Sequence, residues 1–267
     1  MTIAVGFAYE SGLLFCADTK VSTNIKTNES KIEYFVSNNG YCRMAFAVSS
    51  ADLNFPRNAI EKCWESVCEL DFATVSMEEV HRAAEYSLAE FYRDHIYPHP
   101  DRTPGTTFLE LLVGIWLRGA TRLYVSHETV LTPINEYECI GSGAYLAKYL
   151  IRQYRIANKD ANALEDAQLI ASMAVKSAID YDEYCGGKAE ILIIKNDEPS
   201  DEMCEASSYP DDVFINGVQK IAWQLLHELA HVEDKIYGKE NDGIIEQYFK
   251  QIGKMNDELK LSYFRNW

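Results

Sequence analysis

Two places in this sequence could do chemistry on their own terms. The first is Thr2, directly after the initiator Met1. A threonine hydroxyl is a weak nucleophile at its own pKa and needs a neighbouring base. If Met1 is removed, the α-amino group of Thr2 titrates at about 7.7–8.0 and can take the proton itself. A small residue at position 2 favours that removal. The second place is His227-Glu228-Leu229-Ala230-His231. On a helix the two imidazoles lie at i, i+4 on one face, and Glu228 could act as base toward a zinc-bound water. Glu233 and Glu246 are candidate third ligands, but no extended zinc motif has their spacing. Val218, Ile221, Ala222, Leu225, Leu229 and Val232 also form an apolar stripe there that needs no metal. His227 and His231 therefore read first as surface or packing residues, with the zinc hydrolase as the alternative.

The elements that must position these residues belong to an ordinary globular chain. Its 267 residues are 47% hydrophobic and 25% charged, as soluble domains are. With 25 Lys+Arg against 41 Asp+Glu, the net charge is −16. Such a chain repels phosphate backbones and anionic membrane surfaces, so neither nucleic acid nor membrane is an expected partner. The longest apolar stretch, Leu111 to Leu117, is too short to span a bilayer. Seven scattered cysteines (Cys16, Cys42, Cys63, Cys68, Cys139, Cys185, Cys204) contain no CxxC pair and read as free thiols. The segment Met1–Gly6 lacks the basic and apolar regions of a signal peptide. The expected location is the cytoplasm, and no cofactor is expected.

Short apolar runs around turn residues predict strands at Ile3–Ala8, Leu13–Ala17, Lys31–Ser37 and Cys42–Val48, the last two joined by Asn38-Asn39-Gly40. The period then changes. Ile60, Cys63, Trp64, Val67 and Cys68 follow a helical repeat after Asn54-Phe55-Pro56. Ser76-Met77-Glu78-Glu79 is a capping box for a helix through Val80, Ala84, Leu88 and Phe91. A proline-rich loop over 97–106 leads to strands at Phe108–Leu117, Thr121–Ser126 and Thr129–Pro133. Gly141-Ser142-Gly143 opens a helix to about Ala157, a second runs from Ala163 to about Tyr181, and Lys188–Lys195 is a buried strand. Runs of strands, then helices, then strands, then helices argue α+β layers with sheet packed on sheet. Beyond 197 an acidic linker precedes a helical tail. The division is thus 1–197 for the sandwich and 198–267 for linker and extension. Trp64, Trp116, Trp223 and Tyr184 are expected in the core or an interface, and Tyr149 and Tyr154 are expected to pack.

Six short motifs in order then carry a resemblance. They are Thr2-Ile3-Ala4-Val5-Gly6-Phe7; the strand Gly12-Leu13-Leu14-Phe15-Cys16-Ala17-Asp18-Thr19-Lys20; Lys31-Ile32; Ala47-Val48-Ser49-Ser50-Ala51-Asp52; Ile140-Gly141-Ser142-Gly143; and Asp182-Glu183-Tyr184-Cys185-Gly186-Gly187. Singly, Asp18 is a turn former, Lys31 an edge lysine and Gly-Ser-Gly a helix cap. Jointly they resemble the proteasome β-type peptidases, including HslV, among the N-terminal-nucleophile hydrolases.

The resemblance implies a four-layer αββα sandwich and amide hydrolysis through an acyl-enzyme ester on Thr2. It implies that Lys31 lowers the hydroxyl's pKa and that Asp18 fixes Lys31. The backbone amide of Val48 would hold the oxyanion. Ser142, Asp182 and Cys185 would surround the terminal amine, and Val21, Phe46, Ser50 and Asn54 would line the substrate pocket. Implied partners are a peptide or unfolded-protein substrate, further copies of the chain in a homo-oligomeric ring, and often an ATPase. A non-catalytic assembly subunit is the alternative. Three departures mark a divergent bacterial-type member. Cys185 stands in place of Ser, Val48 stands in place of Gly, and a shorter loop after Asp18 leaves Lys26 as competitor to Lys31.

Overall fold

The chain begins as an apolar hairpin, β1 (Ile3–Tyr9) and β2 (Gly12–Asp18), and every residue of β2 is buried. A strand buried along its whole length needs cover on both faces, and the rest of the chain supplies it. The computed structural model describes residues 2–22, 26–50, 53–98, 109–157, 164–196 and 206–207. After β2 come a small hairpin of β3 (Lys20–Ser22) and β4 (Lys26–Asn28), then β5 (Ile32–Val36) and β6 (Cys42–Ser50). Helices α1 (Asn54–Cys68) and α2 (Met77–Phe91) precede β7 (Leu109–Leu117), β8 (Ala120–His127), β9 (Val130–Ile134) and β10 (Tyr137–Gly141). Helices α3 (Ala144–Ala157) and α4 (Leu164–Tyr181), then β11 (Ala189–Lys195) and β12 (Ala206–Ser207), complete the described elements.

Two five-stranded antiparallel sheets result, ordered β10-β1-β2-β11-β12 and β5-β6-β7-β8-β9. Strand alternation sorts their side chains into layers. Along β6, Ala45 and Ala47 face the other sheet, while Met44, Phe46 and Val48 face α1 and α2. The inter-sheet core joins Ala4, Leu13, Phe15 and Ala17 to Leu112, Trp116 and Leu123. The sheets approach closely because Gly114 has no side chain: a Cβ there would lie 2.7 Å from the Phe15 ring. Each large apolar side chain buried in these layers contributes about 1.5–3 kcal/mol. Helices α3 and α4 cover the outer face of the first sheet. The architecture is α+β, in four αββα layers.

Local signals hold where they were strongest. The Ser76 hydroxyl accepts the Glu79 N–H at 3.3 Å, and the Glu79 carboxylate accepts the Ser76 N–H at 2.8 Å. On α1, Ile60, Cys63 and Val67 are buried, but Cys68, expected on that stripe, is exposed. Four elements depart from expectation. The polar stretch after Asp18 contains β3 and β4, strand β10 precedes the Gly-Ser-Gly turn, and a π-helical turn, Tyr92–Ile96, prolongs α2. Within the expected linker, Ala206 and Ser207 pair with Leu192 and Ile191. Trp116 is in the inter-sheet core and Trp64 packs, partly buried, on the core between the second sheet and its helices, whereas Tyr149 and Tyr184 are exposed. The described cysteines are free, and no helix among the described residues is long and apolar enough to cross a membrane. The chain divides into units Met1–Asp212 and Val213–Trp267, and the second lies outside the described residues.

Candidate active site

Asp18 is the last residue of β2, in one sheet, and Lys31 immediately precedes β5, in the other. Both are buried, at 0% and 2% exposure, and the Lys31 ammonium meets Asp18 Oδ1 at 2.7 Å. The same oxygen accepts the Ile3 N–H at 3.0 Å, and Oδ2 accepts the Gly186 N–H at 2.9 Å. One carboxylate therefore ties the first strand, the site lysine and the turn after α4 together. A buried ion pair persists only when further hydrogen bonds satisfy it, and this one has them. Burial holds the Lys31 ammonium below its ordinary pKa, with Asp18 opposing the shift. The Ile3 contact draws Thr2 inside as well, leaving it 2% exposed.

The turn after β10 closes over Thr2. Gly141 sits at φ +92°, where a Cβ would collide with the Thr2 carbonyl, so glycine alone fits there. Its N–H is held by Glu110 Oε2 at 3.0 Å. The Thr2 carbonyl accepts from the Gly143 N–H at 3.4 Å and from the Ser142 hydroxyl at 3.5 Å, both long for hydrogen bonds. Ser142 Oγ lies 3.8 Å from Cys185 Sγ. Burial, with Asp18 and Asp182 adding to it, pushes the Cys185 thiol up to about 11. Cys185 is therefore a neutral, weak donor. Asp182 Oδ1 accepts the Tyr184 N–H at 2.9 Å, within its own turn.

The structure thus brings Thr2, Asp18, Lys31, Ser142 and Cys185 together, with Asp182 in the adjoining turn. Val48 borders them, but its N–H donates to the Lys31 carbonyl at 3.0 Å, which engages the amide expected to hold an oxyanion. Val21 and Phe46 belong to the core between the second sheet and its helices. Ser50 is half-buried and Asn54 is exposed at the start of α1.

A family model described as "Proteasome subunit" matches residues 2–194. The chain belongs to the proteasome subunit family. Comparison with curated protein sequences gives no match. Among solved structures, a Gly-1 mutant of Anbu from Hyphomicrobium sp. strain MC1 has TM-score 0.68 and 17% identity, covering 88% of this chain and 100% of its own. A helical assembly of the Anbu complex from Pseudomonas aeruginosa gives TM-score 0.64 and 14% identity, with 86% and 95% covered. HslV from Trypanosoma brucei gives 0.52 and 16%, with 72% of this chain and 99% of that one covered. This proteasome-type fold is that of a divergent bacterial-type member.

Within the family frame, three positioning residues had escaped assignment. Lys20 donates to the carbonyls of Glu183 at 2.6 Å and Cys185 at 3.1 Å. Thr19 Oγ1 accepts the Lys188 N–H at 2.9 Å. Glu110 holds Gly141. Lys20 was legible as the basic residue after Ala-Asp, and Glu110 as the lone charge in the apolar run 108–117. Nothing marked Thr19. The side chain of Lys26, and all of His227, His231, Trp223 and the 198–267 extension except Ala206 and Ser207, lie outside the described residues. Among the described residues no group of His, Cys, Asp or Glu could hold a metal ion.

Proposed function

We propose that this chain is a self-assembling proteasome-type subunit whose nucleophile centre is built but does not turn over peptides. The observation that carries the reading is the Val48 amide. Its hydrogen is donated to Lys31, so the transition-state oxyanion has no free backbone donor there. The burial of Thr2 and the weak thiol at Cys185 support the same reading. The helical assembly described for the Anbu complex of Pseudomonas aeruginosa supports the assembly half. The free thiols fit a cytoplasmic setting.

A second reading is a threonine peptidase, and one observation favours it: the buried Lys31–Asp18 pair at 2.7 Å. After Met1 removal the Thr2 amine would take the hydroxyl proton as Oγ attacks an amide carbonyl. The leaving amine would take that proton away, and water would then split the acyl ester. The Val48 peptide would have to turn first. This reading brings with it a peptide or unfolded-protein substrate, and an ATPase to deliver it.

Intact mass, sedimentation and a peptide panel decide between the two. The first reading expects a sedimenting mass that is a multiple of 30.4 kDa, and equal background turnover by the wild type and Thr2→Ala. A wild type that lacks Met1 and cleaves peptides, with Thr2→Ala inactive, overturns it in favour of the peptidase.

A further inference from the structure

Strand β9 ends its sheet, so among the described residues one side of its backbone has no strand beside it. His127 lies opposite Val130 across the β8–β9 turn, and Ser126 lies opposite Leu131. In an antiparallel pair, residues alternate between bonding the partner strand and facing away. Leu131 faces away, because both its backbone groups are engaged by α2. Its N–H donates to Glu85 Oε1 at 2.7 Å, and its carbonyl accepts from His81 Nε2 at 2.9 Å. Two residues on, Pro133 faces the same side and has no N–H to offer. The five residues of β9 therefore present no N–H to a further strand. His81 and Glu85 are one turn apart, so a single face of α2 supplies both caps. The His81 ring stacks on Tyr124 at 4.6 Å, which fixes where Nε2 points. The arrangement recurs on β10, the edge of the other sheet: Glu138 takes the Cys139 N–H at 2.8 Å and Glu110 that of Gly141.

We propose that Glu85 and His81 are a lock on β9 that keeps it from pairing with β9 of a second copy of the chain. The side chains around the edge show what is held back. Val130, at 53% exposure, and Thr132 are β-branched and open to solvent, and Tyr86, at 64%, follows Glu85 on α2. A β-branched edge with free backbone groups is a template for another strand. A second copy fits that template because Leu131 carries both a donor and an acceptor. Across a two-fold axis, two Leu131 residues could exchange both bonds, as opposed residues in an antiparallel ladder do. Neither group is available while α2 holds it. The lock is thus an autoinhibitory contact that closes this edge to association. It goes beyond the assembly reading, because it operates in a single chain and in an assembled one alike.

Sedimentation and amide exchange of the full-length chain test the lock, with circular dichroism reporting folding. Glu85→Ala and His81→Ala/Glu85→Ala should each add a concentration-dependent species of twice the wild-type mass. In dilute Glu85→Ala the Leu131 amide should exchange about tenfold faster than in the wild type, as the loss of one hydrogen bond implies. It should regain protection as concentration rises. Glu85→Gln keeps an acceptor on the same stem and should behave as the wild type. Val130→Lys added to Glu85→Ala sets a charge beside the new pairing and should abolish the new species. If both uncovered variants sediment as the wild type while Leu131 exchanges faster, the open edge recruits nothing and the lock is overturned. A Leu131 amide no faster in Glu85→Ala overturns the cap itself. A new species that survives Val130→Lys forms elsewhere and overturns the β9 pairing. The assembly reading is decided separately, by the wild-type species alone.

Discussion

Asp18 and Cys185 both act on the backbone around Thr2, yet one contact network is tight and the other slack. Asp18 is fully buried and accepts three hydrogen bonds between 2.7 and 3.0 Å, from a strand, a lysine and a turn. The Ser142–Cys185 side holds the Thr2 carbonyl through contacts of 3.4 and 3.5 Å, and its two side chains stand 3.8 Å apart. A buried charge enforces its partners, because leaving it unpaired is costly. A neutral thiol makes weak demands. One of the three departures, Cys185, falls on the slack side, where a neutral side chain places few demands on its neighbours. The contacts around Asp18 are short, and those around Ser142 and Cys185 are long.

The largest test removes the strict side. Asp18→Ala leaves the Lys31 ammonium buried without its partner and two N–H groups without acceptors. Unfolding free energy should fall by about 3–5 kcal/mol, read from urea denaturation. Adding Lys31→Met removes the stranded charge, so the double variant should recover much of that loss. A double variant no more stable than Asp18→Ala would break the comparison, because the carboxylate would then act through its backbone contacts alone.

The strict side was also the legible side. Asp18 ends an apolar run and Lys31 opens the next strand, so local pattern placed both on elements. Their meeting across two sheets came from the family resemblance. What the sequence hid was backbone. No pattern shows that the Val48 N–H is already donated to Lys31, since that depends on where the pairing of β5 with β6 stops. Strand β10 went unread because Tyr137-Glu138-Cys139 lacks clean alternation, and only pairing with β1 makes it a strand. The hairpin of β3 and β4 is polar and three residues a side, below what periodicity can detect. Glu110 was visible as a charge in an apolar run, but its purpose required the Gly141 turn.

An alkaline titration sharpens the slack side. The Cys185 thiol lies at about 11 in the fold against an ordinary 9.0. Between those values the unfolded chain has released a proton that the folded chain still holds. Stability from this group is therefore whole below pH 9 and declines as pH rises toward 11. Lys31 acts in the opposite sense. Its folded pKa lies below 10.5, so between the two the unfolded chain binds more protons and stability rises with pH. Cys185→Ser removes the falling component and, because the thiolate also supports the Lys31 charge, leaves the Lys31 component at least as steep. Between pH 8 and 10.5 the wild type should lose more stability than Cys185→Ser, by about 1 kcal/mol once the thiol's partial solvent access is allowed for. Parallel profiles would mean that the thiol is not held neutral by its surroundings.

The smallest effect should separate the two networks within one corner of the fold. Lys20, two residues after Asp18, reaches the carbonyls of Glu183 and Cys185. It ties down the slack turn without a hydrogen bond to the Asp18–Lys31 pair, although its charge helps to hold the Lys31 ammonium below its ordinary pKa. Lys20→Met keeps the chain length of the stem and removes the donors, which should cost about 1 kcal/mol, since one of the two contacts is exposed. Hydrogen exchange gives the finer reading. The Cys185 amide bonds within its own turn, to the Asp182 carbonyl, and should exchange faster. The Ile3 amide, held by Asp18, should keep its protection. Equal acceleration of both would show that the corner moves as one unit, and that the slack turn draws its order from the buried carboxylate as much as the first strand does.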